Sequence, residues 1–527
     1  MKKLLALLLA AALLLPAASL AELTRVSEEP VEFTFWAAYN PTFQTDWETM
    51  KCWDYLEEAT GVHINWELYT LTEMKEKLGI LLASGDVDAL PDAFFRCNIT
   101  DTQLKKYGPE GLFLDISGLV EEYAPNLCRK MTDMDAWGTM LDPETGVLYA
   151  TPTLKDSISS RILPNFYFNK QMMDNVGWTT GAPRTTEELH DLLVLIRDND
   201  ANGNGDPSDE VGITSNSLTR IMNLFSGAFG INNRGRDDLC VDADPADESK
   251  VRFVYTTDEY RAMLSYLHRL YTEGLIDSNL FSLKTSSMVA LGSQNQIFGL
   301  AYHSIAAAGV DENDYIGMDE PIEGPEGYKA WNTVDSGIYK GAFVITAKCE
   351  QPELLVKWVD NLYTYEGSLL INFGKEGEDW YYNEQNLPTW NDELMAQVNE
   401  NTNYDLVTAQ VSCYASGNVP NWFTDETYPG AQCRGLGYET SQKLAPYTCQ
   451  TTWLFNFTID EAEEVSALKA DIITNCHDVY RADFITGAKD VDDDAQWDAY
   501  VQEMENLGLE DLIYIYQTAL DRMNAAK

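Results

Sequence analysis

Basic residues and histidine are scarce in this chain of 527 residues. It has 36 Lys and Arg against 84 Asp and Glu, which gives a net charge of −48, and it has only five His. An acidic surface of this size repels nucleic acid and anionic lipid, so neither is an expected partner. It also disfavours polyanionic ligands unless a basic pocket or a bound cation compensates locally. The simplest interpretation of the acidity is that it keeps the protein soluble.

Paired cysteines and long apolar runs are missing as well. Beyond the N-terminus, no stretch is long and apolar enough to cross a bilayer. The nine Cys include no C-x-x-C pair, which argues against a zinc site or a thioredoxin-like redox site. Cys413, Cys433 and Cys449 lie closer together than the others, and a disulfide among them would be compatible with an exported protein. The odd number of cysteines leaves the connectivity open.

Catalytic motifs are absent too. The chain has no H-E-x-x-H, no G-x-S-x-G, no Walker lysine loop and no dinucleotide glycine fingerprint. We therefore do not expect an enzyme. Two carboxylates suffice for glycoside hydrolysis and need no local spacing, so an exported glycan-active hydrolase stays the alternative function. A structural surface protein is a third class, which predicts that no ligand shifts the melting temperature.

The N-terminus has the features of a secretory signal. Two lysines precede an apolar run, and small residues lead up to Ala21, which predicts a signal peptide over residues 1–21 with cleavage after Ala21. A membrane anchor needs about 20 apolar residues, and Pro16 interrupts the run before that length. The first Cys is Cys52, so no lipid-anchor motif is visible. We expect a secreted, periplasmic or cell-surface-associated protein.

Strand and helix patterns alternate in the first hundred residues after this signal. The predicted elements are a strand at 31–39, a helix at 46–60 that Gly61 ends, a strand at 62–68, a helix at 71–84 and an apolar run at 93–95. This order predicts βαβ units and a parallel sheet with covered faces.

The remainder of the chain indicates a second group of strands and many helices. Amphipathic helices are predicted at 258–271 and 352–365, strands at 297–302 and 342–346, and helices again from 459 to 523. Single cores stop growing near about 250–300 residues, so we expect two lobes. Because the strands form two separated groups, the chain should cross between the lobes more than once. The predicted lobes are about 22–165 with parts of 300–430, and about 166–300 with most of 340–527.

The most specific local motif is the acidic, glycine-rich loop at 198–210, with the sequence DNDANGNGDPSDE. Oxygen-bearing side chains at every second position, with glycines that permit a tight turn, suit a hard cation such as calcium. In one register Asp198, Asp200, Asn202, Gly203 and Asp209 match the EF-hand pattern. In the other, Asp200, Asn202 and Asn204 alternate and the Asp209-Glu210 pair closes the site. A solvated turn without an ion is the plainer interpretation; the density of oxygen ligands favours a structural calcium ion.

Aromatic residues make up 11% of the chain, with 13 Trp and 28 Tyr. Sugar rings pack their C–H faces on aromatic rings while their hydroxyls need polar partners, so a carbohydrate site is rich in both. Aromatics within polar, loop-like sequence are the candidates, whereas Trp358 lies in a helical pattern typical of a core. The candidate stacking residues are Trp36, Tyr39, Trp331, Trp380, Trp422 and Trp453, and the candidate hydrogen-bonding residues are Asn40, Arg96 and Arg161. A surface salt bridge is the plainer interpretation for both arginines.

Several segments, taken in order, resemble the family 1 extracellular solute-binding proteins of ABC importers, in the oligosaccharide branch that includes alginate-binding receptors. Each segment is weak alone, but the ordered set is specific. The segments are 55–66 (YLEEATGVHINW), 83–86 with 90–92, 111–126, 145–152, 167–177, 181–188, 200–210, 271–277, 324–327, 352–365, 366–380, 483–487 and 517–523.

The resemblance implies an α/β fold of two periplasmic-binding-protein-like lobes, each a mainly parallel sheet flanked by helices, with a hinge and a helical C-terminal region. It also implies that a carbohydrate, above all an oligosaccharide, is held between the lobes, and that the lobes close when it binds. It further implies that the protein is a monomer and delivers the sugar to an ABC permease. The family's calcium loop matches Asp200, Asn202, Asn204, Asp206 (through its carbonyl), Asp209 and Glu210, with one residue inserted before the Asp-Glu pair. The turn at 85–91 is longer than the family's usual one. Which sugar is bound, and whether it carries charge, stays open.

Overall fold

The structure is a computed structural model. It describes residues 23–41, 47–157, 161–162, 165–232, 240–302, 305–331, 336–384, 386–400, 407–413, 419–427, 435–448 and 453–525. The predicted signal peptide and two of the three clustered cysteines, Cys433 and Cys449, lie outside these residues. Within them, no helix is both long and apolar enough to cross a membrane.

The strands and helices alternate along much of the chain. The strands are β1 (Val31–Tyr39), β2 (Val62–Thr70), β3 (Ala93–Phe95), β4 (Thr151–Lys155), β5 (Asn165–Asn169), β6 (Val211–Thr214), β7 (Val241–Asp244), β8 (Asp247–Phe253), β9 (Ile297–Tyr302), β10 (Tyr315–Gly317), β11 (Ile338–Ile345), β12 (Trp380–Tyr382), β13 (Pro388–Trp390) and β14 (Asn421–Phe423). The helices are α1 (Lys51–Thr60), α2 (Leu71–Ser84), α3 (Asp101–Tyr107), α4 (Ser117–Tyr123), α5 (Pro125–Asp133), α6 (Trp137–Met140), α7 (Lys170–Asn175), α8 (Thr186–Arg197), α9 (Leu218–Ser226), α10 (Asp258–Thr272), α11 (Thr285–Ser293), α12 (Pro352–Asp360), α13 (Tyr365–Phe373), α14 (Asp392–Glu400), α15 (Leu436–Leu444), α16 (Ile459–Lys469), α17 (Asp478–Thr486), α18 (Asp494–Asn506) and α19 (Leu509–Ala525).

The chain divides into two compact units, each built from separate segments. Unit 1 consists of Met1–Cys97, Ser117–Lys130 and Ile345–Trp422, and unit 2 of Asn98–Ile116, Met131–Val344 and Phe423–Lys527. The lobe boundaries expected from the sequence stay a prediction.

Unit 1 is organised around parallel pairing of β1 with both β2 and β3. Val31 lies opposite Val62, and Phe35 lies opposite Ala93. Aromatic rings fill the space beside these strands: Phe35, Phe95 and Trp66 contact one another at centroid distances of 5.4–6.5 Å. Trp358 of α12 packs edge-on against Phe35 at 5.5 Å, in agreement with its predicted core position. Burial of such rings is the main favourable contribution to folding here.

Local sequence signals explain where the helices of unit 1 begin and end. Gly61 adopts φ 76° after α1, and its N–H bonds the carbonyl of Glu57 at 2.8 Å. A side chain at this position would also meet the carbonyl of Ser27, so only glycine fits. At the start of α2, Thr70 and Glu73 form a reciprocal capping box.

Unit 2 contains a four-stranded sheet in the order β10, β5, β9, β6. β6 pairs parallel with β9, whereas β5 pairs antiparallel with β9 and with β10. The pairing in this sheet is therefore mixed, a detail that the predicted mainly parallel arrangement did not include. β5 enters the sheet from the opposite direction to β6 and β9, and alternation patterns do not encode strand direction.

Most predicted elements occur at the expected places, which confirms the α/β class. The strands at 31–39, 93–95 and 297–302 and the helix at 71–84 have the predicted bounds. The predicted helix at 352–365 is instead divided: α12 stops at Asp360 and α13 begins at Tyr365. Thr364 causes the break, because its hydroxyl accepts the N–H of Gly367 and starts a new helix.

The C-terminal region is helical, as predicted, and includes a π-helical segment at Ala470–His477. The last residue of this segment is His477, whose imidazole is fully buried in the core of unit 2. His477 stacks on Tyr255 with ring centroids 3.7 Å apart and interplanar angle 5°. Its Nε2 lies 2.8 Å from the Tyr260 hydroxyl, and its Nδ1 lies 3.1 Å from Asp478 Oδ1. Burial lowers the pKa of His477 to about 4, although the neighbouring Asp478 carboxylate opposes this shift.

This buried imidazole predicts a loss of stability in mild acid. The unfolded chain protonates His477 near its ordinary pKa of about 6.5, whereas the folded protein does so only near pH 4. The stabilisation is therefore complete above about pH 6.5 and declines as pH falls toward 4. We expect this residue to reduce the free energy of unfolding by about 2 kcal/mol between about pH 7.5 and 5, measured by urea denaturation.

The variant His477→Gln should flatten that decline while lowering stability at neutral pH. His63→Gln is the control, because the hydrogen bond to Glu57 raises the pKa of His63 and its contribution disappears with rising pH instead. An equally steep acid decline in His477→Gln would contradict the assignment.

Candidate functional site

The carboxyl end of β1 holds three residues predicted to contact ligand. Trp36 is half-buried and makes edge contacts with Tyr69 at 5.0 Å and Phe94 at 6.0 Å. Tyr39 is the last residue of β1, opposite Thr70, and Asn40 follows it directly. Because β1 and β3 are parallel, their carboxyl ends meet at one edge of the sheet, where ligands of α/β proteins usually bind.

Arg96 follows β3 at the same edge but has a different environment from the one expected. Its side chain is buried, and one guanidinium N–H donates to the carbonyl of Ala38 in β1. Burial lowers the pKa of Arg96, with the nearby Cys413 and Cys97 opposing the shift. Its backbone is left-handed, with φ 56°. The guanidinium thus ties the end of β3 to the end of β1 within unit 1, instead of forming a surface salt bridge.

The two other predicted aromatics of unit 1 are engaged by the protein itself. Trp380 is 3% exposed and donates its indole N–H to the carbonyl of Gly374 at 2.9 Å. Trp422 is half-buried, and the ammonium of Lys130 lies 3.2 Å from the centre of its ring. That ammonium covers one face of the ring, so only the opposite face could meet a sugar.

Trp331 and Trp453, the predicted aromatics of unit 2, belong to its core. Trp331 is 2% exposed, and its backbone N–H bonds the carbonyl of Tyr447 at 3.0 Å. Trp453 is 8% exposed and contacts Phe455 at 5.8 Å. Their burial shows that a tryptophan in polar, loop-like sequence can still belong to a core.

A cluster of polar residues lies where β5 starts and where β6 and β9 end. Asn165 opposes Tyr302, and Thr214 opposes Leu300, so the three strand ends share one edge of the sheet. The Ser215 hydroxyl, just after β6, donates to the carbonyl of Ala301 at 2.7 Å. We call this the β5–β9–β6 edge.

The polar side chains at or near the β5–β9–β6 edge include Arg220 and two asparagines. The guanidinium carbon of Arg220, in the first turn of α9, lies 4.9 Å from the centre of the Tyr302 ring. Burial lowers the pKa of Arg220, and the Tyr302 side chain opposes that shift. Asn165 Oδ1 and Asn216 Oδ1 are buried and make no hydrogen bond with the protein. Arg161, a predicted ligand contact, precedes β5 by a few residues. Its backbone N–H donates to the carbonyl of Ser157 at 3.2 Å.

Sequence reasoning missed Asn165, Asn216, Arg220 and Tyr302. Arg220 lies in an amphipathic helix, where an arginine is ordinarily a solvated surface residue. The available signal was the Ser-Asn-Ser sequence directly after a strand and before a helix, since strand-to-helix loops carry ligand sites in α/β folds.

The acidic loop at 200–210 is closed by its own hydrogen bonds. Asn202 and Asn204 donate side-chain N–H groups to Asp209, at 3.1 and 2.7 Å, and Gln296 donates to Asp209 at 2.7 Å. Burial alone would raise the pKa of Asp209, but these three hydrogen bonds outweigh it and lower the pKa. Gly203 and Gly205 adopt φ 75° and 96°, which the tight turn requires. Asp198, by contrast, binds Arg197 at 2.8 Å.

The donor set of this loop fits a hard cation. Asp200 Oδ1 and Glu210 Oε2 are buried carboxylate oxygens without a hydrogen-bond partner, a costly arrangement that a cation would relieve. The Asp206 carboxylate instead accepts from the N–H and the hydroxyl of Ser208, both through Oδ1. Among the described residues, no group of three or more His, Cys, Asp or Glu is arranged to hold a metal, so asparagine oxygens would have to complete this set.

The chain is similar in sequence to one curated transport protein over nearly its whole length. No family model matches it. The fructooligosaccharide ABC transporter substrate-binding protein FusA of Streptococcus pneumoniae is 26% identical over 95% of this chain and 92% of its own length.

Solved structures share the fold. FusA in complex with kestose matches with a TM-score of 0.72 at 22% identity, covering 94% of this chain and 100% of that one. Its EF-hand mutant in complex with fructo-nystose gives 0.71 at 23% identity and the same coverage. An extracellular solute-binding protein from Bifidobacterium longum subsp. infantis gives 0.76 at 20% identity, over 94% and 98%. The alginate-binding protein AlgQ2 without calcium ion gives 0.67 at 18% identity, over 95% and 100%.

The position of Arg96 predicts a structural role. Arg96→Ala removes the donor to the buried carbonyl of Ala38, which should lower the free energy of unfolding by about 1–3 kcal/mol. Arg129→Ala is the matched control, because Arg129 is exposed and donates a hydrogen bond to Asn126, and it should change stability by less than about 0.5 kcal/mol. Urea denaturation measures both. Equal stability of the two variants would show that Arg96 is not a structural tie.

Proposed function

We propose, from the now confirmed resemblance to the extracellular solute-binding proteins of ABC importers, that this chain is the non-catalytic receptor of such an importer. It captures a carbohydrate, an oligosaccharide above all, and delivers it to the membrane permease. The observation that carries the proposal is the similarity to FusA over 95% of the chain, together with the shared fold. The alternative, an exported glycan-active hydrolase, has only unplaced carboxylates in its favour.

The predicted location fits this role. A receptor must meet its sugar outside the cytoplasm, and the signal peptide predicted at residues 1–21, with cleavage after Ala21, would export the chain. We propose a secreted, periplasmic or cell-surface-associated monomer, organised as the two predicted lobes.

Of the nine residues predicted from sequence to contact the sugar, four keep the best support. Trp36, Tyr39 and Asn40 lie at or near the carboxyl end of β1, and Arg161 precedes β5. We propose these four as contacts. The burial of Arg96, Trp331, Trp380 and Trp453 favours structural roles for them, and Trp422 is partly covered by Lys130.

We further propose a structural calcium ion in the loop at 200–210. Asp200, Asn202, Asn204, Asp209 and Glu210 would hold it through side-chain oxygens, and Asp206 through its carbonyl. The unpartnered oxygens of Asp200 and Glu210 support this ligand set, and the existence of an EF-hand in FusA agrees with it. Bound calcium would neutralise part of the loop's negative charge and fix the turn that leads into β6.

Binding without turnover tests the receptor function. Calorimetry with kestose, human milk oligosaccharides, a high-mannose glycan and alginate oligosaccharides should detect at least one ligand, and the same ligand should raise the melting temperature. Chromatography of the recovered sugar should show no cleavage after prolonged incubation. Hydrolysis would support the glycan-active enzyme, and no binding or thermal shift with any sugar would support a structural protein.

Removal of the ion tests the calcium site. Calcium at about 100 times its dissociation constant stabilises a protein by about 2.7 kcal/mol, so a chelator should lower the melting temperature measurably. Asp200→Ala should abolish both this sensitivity and calcium binding in calorimetry. Asp206→Ala is the matched control and should keep both, because its proposed ligand is a backbone carbonyl. If chelation leaves the wild-type melting temperature unchanged, the loop is only a turn.

A further inference from the structure

A surface depression of unit 2 combines an aromatic ring with polar groups that the sequence-derived candidates did not include. Its volume of about 490 Å³ lies within the range of about 300–1,000 Å³ that is typical of small-molecule sites. The lining residues include Trp178, Thr179, Thr180, Ala182, Arg184 and Glu188. They belong to one segment of the chain, between the end of α7 and the first turn of α8, and so to unit 2 alone.

The depression belongs to the opposite end of β5 from the predicted ligand contact Arg161. Arg161 precedes Asn165, the first residue of β5, whereas α7 begins directly after Asn169, the last one. A strand of five residues spans about 17 Å. Asn175, at the end of α7, donates to the carbonyl of Ala201 at 2.8 Å, which fixes this segment beside the acidic loop that precedes β6. A ligand in the depression would therefore be separate from one bound near Arg161.

The ring of Trp178 is held in position by the protein. It is half-buried and packs partly against the core of unit 2. Its indole N–H donates to the carbonyl of Gly181 at 2.8 Å, and its backbone N–H donates to the carbonyl of Met173 at 2.9 Å. In the part of the chain that the structure describes, no aromatic or cationic side chain makes a ring contact with it. A ring that is fixed in advance and lines an open depression can receive the C–H face of a sugar.

Polar groups beside this ring can bond hydroxyls. Thr179 and Thr180 are exposed, and their hydroxyls make no hydrogen bond with the described residues. The side chain of Arg184 is 66% exposed, and its nearest carboxylate oxygen, Glu320 Oε1, lies 3.9 Å from Nε, which is beyond hydrogen-bonding distance. Glu188 accepts the backbone N–H of Arg184 through Oε2 at 2.8 Å, which leaves Oε1 as an acceptor. The depression thus offers both donors and acceptors, as hydroxyl groups require.

The balance of charge in the depression favours an uncharged ligand. Arg184 and Glu188 contribute one charge of each sign, so there is no local excess to attract an ion. The net charge of −48 on the whole chain repels an anionic ligand. An indole with hydroxyl-bonding groups beside it is the composition expected of a carbohydrate site.

We propose that Trp178, together with Thr179, Thr180, Arg184 and Glu188, forms a second carbohydrate site on unit 2, where a neutral sugar ring stacks on the indole. This site goes beyond the proposed receptor function, because it is separate from the contacts proposed at β1 and at Arg161. We expect it to be weak, with a dissociation constant of about 1 mM, since one ring and a few exposed hydrogen bonds provide little binding free energy.

Fluorine NMR of protein labelled with 5-fluorotryptophan tests the proposal. The Trp178 resonance is assigned by its loss in the variant Trp178→Phe. At least one of kestose, mannotriose and xylotriose should shift this resonance, with a dissociation constant of about 1 mM. Trigalacturonate should leave it unmoved over the same concentration range. If none of the three neutral sugars shifts the resonance, or if trigalacturonate shifts it as strongly, the inference is wrong.

Trp137 provides the matched control within the same spectrum. It is also half-buried in unit 2, and its indole N–H also bonds a local group, the hydroxyl of Thr132 at 3.0 Å, but it does not line the depression. Its resonance should not move. Equal shifts at Trp137 and Trp178 would reveal a general effect of concentrated sugar and contradict a specific site.

An arginine variant tests the polar part of the site. Arg184→Ala should weaken the binding reported by the Trp178 resonance by about threefold or more, because the sugar loses a charged donor. Arg129→Ala, which changes an exposed arginine of unit 1, should leave it within about twofold of wild type. Melting temperatures establish that both variants are folded. Equal affinities in the two variants would remove Arg184 from the site.

The variant Trp36→Ala separates this site from the receptor site. An undiminished Trp178 shift in this variant would support a site that is independent of the contacts at β1. If the shift disappears, it is transmitted from the receptor site, so the second site is wrong and the receptor function stands. If calorimetry detects no sugar at the receptor site while the Trp178 shift is retained, the receptor function fails and the second site stands.

Discussion

Parallel pairing of strands is the constraint on which the candidate site depends. In unit 2, β6 and β9 run in the same direction, so the residues that follow both strands emerge at one edge. β5 runs the other way and contributes its first residue to that edge instead of its last. Residues more than fifty positions apart in the sequence, such as Asn165 and Tyr302, thereby lie opposite each other at this edge. The same pairing in unit 1 brings Arg96 to the carbonyl of Ala38.

Much of the secondary structure could be predicted because local physics determines it. Periodicity, capping residues and Gly61 located α1 to within a few residues and α2 and β1 to the residue. Where the prediction failed, another local interaction prevailed, as at Thr364, whose cap divides a continuous apolar pattern into α12 and α13. The direction of β5 depends on connections far along the chain, which no window of residues records.

The site was harder to predict because composition does not separate a binding ring from a core ring. Trp331 and Trp453 stand in polar sequence but lie in the core, where burial of an indole contributes a large favourable free energy. Arg96, a predicted ligand contact, is buried and donates a hydrogen bond to the carbonyl of Ala38. Sequence alone does not distinguish Arg220 from any other helical arginine, because its neighbour Tyr302 lies 82 positions later in the chain.

The acidic loop and the β5–β9–β6 edge occupy opposite ends of the same two strands. Glu210 directly precedes β6, and Gln296, which binds Asp209, directly precedes β9. A strand of six residues such as β9 spans about 20 Å, so an ion in the loop and a sugar at the edge would never touch. The loop and the edge nevertheless share one support, because the parallel pairing of β6 with β9 positions the residues at both ends. An ion held by the loop and a ligand held at the edge would both rest on this single pair of strands.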